Sequence, residues 1–368
     1  MIITSKDNYK ELDAWLSERK KVLFVCDEAV RFLDKFNEKI KEINIPLVRF
    51  SNFKPNPDYE SVVEGVQLFR ESGCEAIMAV GGGSAIDVAK CIKLYSGCKG
   101  NGENGDWLKE EILPNNIPFL AMPTTAGTGS EATRYAVIYY NDKKQSITSE
   151  SIIPETVLHD PDVLRTLPVY QKKATMMDAL SHAIESFWSV NSNEESKKYS
   201  KDAIAGIMMN MDGYLANTEA GNAGMLLAAY TAGKAINITQ TTAGHAMCYK
   251  ITSMFGCAHG HAAALCNRVM FPWMIKNVDR CTDIRGAGYL KDTLNEIGIA
   301  MGCEDAVSGA NRFVSIFDSL GLDVPAATKE QFMILKENVN VERLRNHPVS
   351  LDSEIIDELY HQILKEQA

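Results

Sequence analysis

The chain has 368 residues, 45% of them hydrophobic, enough for two packed domains of ordinary size. A formal net charge of −10 argues against a nucleic acid or an anionic membrane as partner, although a few local cations can still serve an anionic substrate. The N-terminus lacks a signal-peptide pattern and no apolar run approaches about 20 residues, so no membrane span is expected. Nine cysteines without a CxxC pair suit reduced thiols and a cytoplasmic location.

In chain order, KKVLFVCDE reads as a strand, KFNEKIKEINI as a helix and PLVRF as a second strand. DYESVVEGVQLFRESG follows as an amphipathic helix, CEAIMAV as a buried strand, AIDVAKCIKLYSG as a helix and PFLAMPTT as a strand. Alternation of this kind implies a parallel sheet covered by helices on both faces. After His159-Asp160-Pro161 the periodicity turns helical, in QKKATMMDALSHAIESFWSV, SKDAIAGIMMNMDGYLAN, AGMLLAAYTAGKAINI and VSLDSEIIDELYHQIL. The domains are therefore expected at 1–162 (α/β) and 163–368 (all-α).

Two loops of the first half invite a nucleotide. In AVGGGSAIDVAK a strand meets three glycines and a helix start, so bared backbone N–H groups suit a pyrophosphate, although a tight turn without ligand would look the same. The stretch is neither a Walker loop nor GxGxxG. PTTAGTGSEATR places hydroxyls and glycines at the carboxyl end of another strand, where open α/β sheets bind ligands. Asp27, ending KVLFVCD, suits an adenosine ribose and repels a 2′-phosphate, which favours NAD(H) over NADP(H).

The second half suggests a metal. Asp178 and His182 are four apart in MMDALSHAIESF and share a helix face, where a metal or a plain Asp–His hydrogen bond would satisfy them. GHAMCYKITSMFGCAHGHAAALC adds His245, His259 and His261. His245 and His259 would lie about 21 Å apart on one continuous helix, too far for one ion. The stretch therefore reads as a helix, a break at Gly256 or Gly260, and a short returning segment. One carboxylate with imidazoles suits Fe²⁺ or Zn²⁺, and spacing leaves His259 and His261 undecided.

These motifs resemble, in order and across nearly the whole chain, the iron-containing (group III) alcohol dehydrogenases: GGGSAIDVAK, PTTAGTGSEATRYAVI, Asp160-Pro161, DALSHAIES and the histidine stretch. The resemblance implies a Rossmann-like NAD(P) domain followed by a helical domain, dehydroquinate synthase-like in fold, with the active site in the cleft between them. It implies Asp178, His182, His245 and His259 as metal ligands, with His261 a neighbour that tunes the site and a candidate catalytic residue. It implies Gly82, Gly83, Ser84 and Asp87 at the pyrophosphate, Thr124, Thr125 and Thr128 at the second cofactor loop, Asp27 at the ribose, and Lys144 near it. Two departures stand out: Tyr249 replaces a histidine thought to relay a proton, and Met176 replaces a glycine. Tyr249 thereby becomes the other candidate catalytic residue.

GHAMCYK…HGHAAALC with ESFWSVNSNEES is similar to a narrower branch, the phosphonoacetaldehyde reductases, which form 2-hydroxyethylphosphonate. Arg134, Lys234, Lys250 and Arg268 are then candidate partners for the phosphonate. The expected activity is metal-assisted, NAD(H)-linked reduction of a small aldehyde by a homodimer or larger homo-oligomer. Reductases of lactaldehyde or propanediol type, a dehydroquinate-synthase-like cyclase, and a nucleotide-binding protein without catalysis are the alternatives.

Overall fold

The structure is a computed structural model that describes residues 1–111, 113–141 and 143–367. The chain forms two compact units, one of residues 1–125 and 129–167, the other of residues 126–128 and 168–368. The junction thus falls between Leu167 and Pro168, and three residues of the loop after the fifth strand belong to the second unit.

The first unit holds β1 (Ile2–Thr4), α1 (Lys6–Ser17), β2 (Val22–Cys26), α2 (Asp34–Glu42), β3 (Leu47–Phe50), α3 (Tyr59–Ser72), β4 (Ala76–Gly81) and α4 (Gly83–Tyr95). It continues with β5 (Phe119–Pro123), β6 (Tyr135–Tyr140), β7 (Lys143–Thr148) and β8 (Thr156–His159). Six strands make a parallel sheet in the order β1-β8-β5-β4-β2-β3. All residues of β2 and β4 are buried, as befits central strands covered on both faces. Leu23, Val25, Ile77 and Ala79 pack with Val62 and Val66 of α3 and with Ile86, Ala89 and Ile92 of α4 in one core.

Four of the six sheet strands are those read from the sequence. The other two are β1 and β8, of three and four residues, which pair with each other. The antiparallel hairpin β6–β7 was missed because KKQSIT is polar and mostly open to solvent, without an apolar alternation.

The second unit is built on α5 (Val169–Trp188), α6 (Glu194–Leu215), α7 (Glu219–Thr239), α8 (Ala243–Phe255), α9 (His259–Lys276), α10 (Gly286–Ala300) and α11 (Ala306–Ser319). β9 (Ala326–Ala327), α12 (Lys329–Glu337), α13 (Val341–Leu344), α14 (Ser353–Ile363) and β10 (Lys365–Glu366) complete it. α5 is the axis: α6, α7, α9 and α10 all pack against it. Residues 176–188 are consequently buried all round, and their polar side chains must find partners inside the protein.

The break between the two histidine groups falls at Gly256, a left-handed C-cap at φ +68°. What returns is not a short segment but the 18-residue helix α9. Gly260 lies inside that helix and serves a close approach, since a Cβ there would stand 2.3 Å from the Ala174 carbonyl oxygen and 2.4 Å from the Asp178 Cβ. No helix among the described residues is long and apolar enough to cross a membrane.

Candidate active site

In the first unit, the chain leaves β2 for β3 on one side and returns to β4 on the other, so the strand order reverses between β2 and β4. Ligands of doubly wound sheets sit at the carboxyl ends of such a pair. Asp27 follows β2, and Gly82, Gly83 and Ser84 open α4 directly after β4. The Asp27 carboxylate accepts from the Ala29 N–H at 2.9 Å and from the Gly82 N–H, which joins the two motifs. Burial pushes the Asp27 carboxyl up, and these two N–H groups oppose the rise. Gly82 caps α4 without a side chain of its own, leaving the first-turn N–H groups directed outward.

The Thr124 N–H donates to the Gly81 carbonyl at 2.9 Å, which brings the second loop beside the first, and Thr125 flanks Gly82. Thr128 belongs to the second unit. Asp87 fastens the loop structure around the glycine motif. Its two carboxylate oxygens accept from the Ser130 hydroxyl at 2.6 Å and the Val137 N–H at 2.9 Å, so it ties α4 to β6. Buried Lys90 makes the same junction, donating to the Thr133 and Tyr135 carbonyls at 2.7 Å each. Lys144, on β7, is close enough to Asp87 to lower its carboxyl.

In the second unit, α5 presents Asp178, His182 and Glu185 on one face, at spacings of four and three. α8 brings His245 and α9 brings His259 to the same place. Asp178, His245 and His259 have ligand atoms within 4.8 Å of one another. His182 lies beside this trio, its ring stacked on His245 with centroids 4.6 Å apart and its Nε2 3.9 Å from Asp178 Oδ1.

The environment prepares these groups for a cation. Glu185, wholly buried, was missed by the sequence reading. Its carboxylate accepts from the Thr242 N–H at 2.6 Å, the Thr242 hydroxyl at 3.0 Å, His245 Nδ1 at 2.6 Å and Asn267 Nδ2 at 2.7 Å. With its proton on Nδ1, His245 turns the Nε2 lone pair toward Asp178 Oδ1, 3.5 Å away. Gly127 does the same for His182, whose Nδ1 donates to that carbonyl at 3.3 Å. Gly244 makes room, because a Cβ there would stand 2.5 Å from Glu185 Oε1 and 2.3 Å from Asn267 Oδ1.

His245 Nε2 and Asp178 Oδ1 are both buried without a hydrogen-bond partner. Two ligands each about 2.1 Å from a tetrahedral ion stand roughly 3.4 Å apart, so the 3.5 Å between them fits a shared metal. Charge points the same way. Burial works against ionised Asp178, yet the three imidazoles pull its carboxyl well below the usual range. Burial likewise opposes a charged His245, but Glu185 and Asp178 push it up to about 10. Two buried carboxylates thus favour positive charge at Nε2, where a proton and a divalent cation compete.

His261 stands outside this cluster. Residues two apart on a helix face different ways, and both of its ring nitrogens are engaged, Nδ1 with the Tyr170 hydroxyl at 3.0 Å and Nε2 with the Asp323 carbonyl at 2.8 Å. With both nitrogens so engaged, His261 ties α9 to Tyr170 and to Asp323 and contributes no ligand atom to the cluster. Tyr249, one turn after His245, stacks on His259 with centroids 5.5 Å apart and planes at 18°. Cys248 Sγ lies 3.7 Å from His259 Nδ1. Asp178, His182 and His245 are buried, whereas His259 and Tyr249 are partly exposed, so the cluster opens to solvent on their side.

Residues 1–161 match the family model for iron-containing alcohol dehydrogenase, and residues 172–363 match the C-terminal model of the Fe-containing alcohol dehydrogenase family. The 1,3-propanediol dehydrogenase of Klebsiella pneumoniae is 30% identical over 309 residues, covering 80% of this chain and 78% of that protein. The NAD-dependent methanol dehydrogenase of Bacillus methanolicus is 29% identical over 306 residues, with coverage of 80% and 78%. Among solved structures, sulfoacetaldehyde reductase from Bifidobacterium kashiwanohense in complex with NAD+ superposes with a TM-score of 0.86 at 24% identity, covering 99% of this chain and 96% of that one.

Proposed function

The chain belongs to the iron-containing alcohol dehydrogenase family, and from that premise we propose that it is an NAD(H)-linked reductase of a small aldehyde. The observation that carries the proposal is the pair of buried, unpartnered atoms Asp178 Oδ1 and His245 Nε2, grouped with His259. Asp178, His182, His245 and His259 are the proposed ligands, with Fe²⁺ the family's metal and Zn²⁺ equally suited to one oxygen and three nitrogens. Gly82, Gly83, Ser84, Thr124, Thr125, Thr128 and Lys144 are the proposed cofactor contacts. Asp27 disfavours a 2′-phosphate and so NADP(H).

When bound, the metal supplies Lewis acidity to the carbonyl oxygen and the nicotinamide supplies hydride to the carbonyl carbon. The chain's own residues prepare that chemistry. Glu185 and the Gly127 carbonyl hold protons on the Nδ1 atoms of His245 and His182, keeping both Nε2 lone pairs turned inward. The proton that completes the alcohol enters from the open side, where Tyr249 Oη and water are its carriers. One aldehyde, one NADH and one proton thus give one alcohol and one NAD+.

The proposed substrate is phosphonoacetaldehyde, reduced to 2-hydroxyethylphosphonate. A neutral aldehyde of the lactaldehyde or propanediol type is the second reading, supported by relatives named 1,3-propanediol dehydrogenase. A cytoplasmic location is part of the proposal, supported by nine cysteines of which none forms a disulfide. The test is NADH oxidation by the metal-loaded protein with phosphonoacetaldehyde, glycolaldehyde, propanal and lactaldehyde. Stoichiometric NADH consumption with one of them supports a reductase. NADH that is not consumed, or a protein that retains no metal, overturns it.

A further inference from the structure

The start of α9 carries a line of hydrogen bonds whose direction is forced at every step. The Asp323 carbonyl can only accept, so His261 donates to it from Nε2 at 2.8 Å. A neutral imidazole has one ring proton, which leaves Nδ1 an acceptor for the Tyr170 hydroxyl at 3.0 Å. The Tyr170 oxygen keeps lone-pair capacity for the Ala258 N–H, which donates to it at 2.8 Å. The Tyr170 and His261 rings meet edge-on, with centroids 5.8 Å apart and planes at 78°.

α9 begins at Ala258, an N-cap without a side-chain hydrogen bond of its own. In a capping box, the side chain three residues further on reaches back to the N-cap N–H. His261 stands at that position, and here the Tyr170 hydroxyl bridges the two. The tyrosine comes from the first turn of α5, the helix that carries Asp178 and His182 further along.

His259 therefore lies between two residues that are each fixed to α5. Gly260, after it, packs so closely that a Cβ would stand 2.3 Å from the Ala174 carbonyl oxygen and 2.4 Å from the Asp178 Cβ. Ala258, before it, is held by Tyr170, one turn ahead of Ala174 on the same helix. Of the four proposed ligands, His259 alone is partly exposed, so its reach toward Asp178 depends on where the backbone of α9 starts.

We propose that Tyr170 is a positioning residue for His259. Its hydroxyl fastens the residue before this ligand to the helix that carries Asp178 and His182, and so sets how closely Asp178 and His259 approach a shared ion. The inference rests on the ligand assignment proposed above.

Tyr170→Phe keeps the ring and removes one oxygen; the side chain is 41% exposed, so no buried cavity results. It is compared with the unaltered protein and with His261→Ala, which leaves the bond between Ala258 and Tyr170 in place. Zn²⁺ affinity is read by chelator competition, ligand geometry by the visible spectrum of the Co²⁺-loaded protein, and folding by thermal midpoints without metal. Tyr170→Phe is expected to bind Zn²⁺ roughly 3- to 10-fold more weakly and to shift the Co²⁺ bands, as one hydrogen bond that places the ligand is lost. His261→Ala should keep both the affinity and the bands. A Tyr170→Phe protein with unaltered affinity and bands overturns the inference even where its midpoint falls, because the hydroxyl then serves folding alone. Equal losses of affinity in the two variants overturn it too, since the fastening at Ala258 would not be what matters. An unaltered protein that binds neither ion overturns the ligand assignment, and the inference with it.

Discussion

Replacing Glu185 with glutamine keeps the side-chain volume and removes its charge, at a point where five donors converge. Oε1 receives His245 Nδ1 and Asn267 Nδ2, and Oε2 receives the Thr242 N–H and hydroxyl and, more weakly at 3.4 Å, the His245 N–H. An amide has one acceptor oxygen, so whichever way the introduced side chain turns, its NH2 faces a donor. Turning the NH2 toward Thr242 leaves the backbone N–H groups of Thr242 and His245 without an acceptor. Turning it toward His245 is relieved by moving the imidazole proton from Nδ1 to Nε2, the atom needed for the metal, and by flipping the Asn267 amide so that its oxygen accepts. The first outcome costs about 1–3 kcal/mol of stability for an unsatisfied buried group. The second weakens metal binding by roughly 10- to 100-fold, or about 1.4–2.8 kcal/mol. Metal content after dialysis against graded chelator, with thermal midpoints of the apo and loaded protein, separates the two. A folded Glu185→Gln protein with the original metal affinity and the original stability would refute the reasoning.

Three further outcomes are expected. His259→Ala should lose metal on dialysis while His261→Ala keeps it, the latter losing about 1–2 kcal/mol of stability as Tyr170 and Asp323 lose their partner; elemental analysis and denaturant titration read both. Gly260→Ala must push α9 from α5 to clear the Ala174 carbonyl, so it should destabilise by about 1–3 kcal/mol and lower metal occupancy, and a stable, fully loaded variant would count against the close approach. Acid sensitivity should trace partly to His347, buried with neither ring nitrogen hydrogen-bonded, whose pKa burial pushes down from 6.5 to about 4. Between those values the unfolded chain binds a proton that the native ring refuses. Stability is therefore complete above pH 6.5 and falls as pH drops toward 4, by up to about 1.4 kcal/mol per pH unit from this group. His347→Phe should flatten that slope in urea midpoints measured on the loaded protein.

Residues whose role is local were readable in advance. Asp178 and His182 share a face because one helix carries both, and the loops after β2 and β4 announce themselves by glycine and a terminal carboxylate. Roles that depend on a distant partner were not. Glu185 lies in the same helical pattern as Asp178, and the face arithmetic that joined Asp178 to His182 reaches it too. It was passed over because a glutamate in a helix commonly faces solvent, and the donors that reveal it come from positions 242, 245 and 267. The fastening made by Asp87 was equally hidden, because its partners lie on the distant segment 130–137. Separating His259 from His261 by spacing needed the knowledge that both lie in a helix, where a step of two turns the side chain away.

The three residues 126–128 have a consequence for how such a protein can be altered. They are encoded within the α/β half, yet Gly127 supplies the carbonyl that sets the tautomer of His182 in the helical half. Recombination at a single junction near Leu167 would pair one ancestor's histidine with another ancestor's carbonyl. The two halves are therefore not interchangeable cassettes, and shuffled chimaeras have to inherit the loop after β5 together with α5.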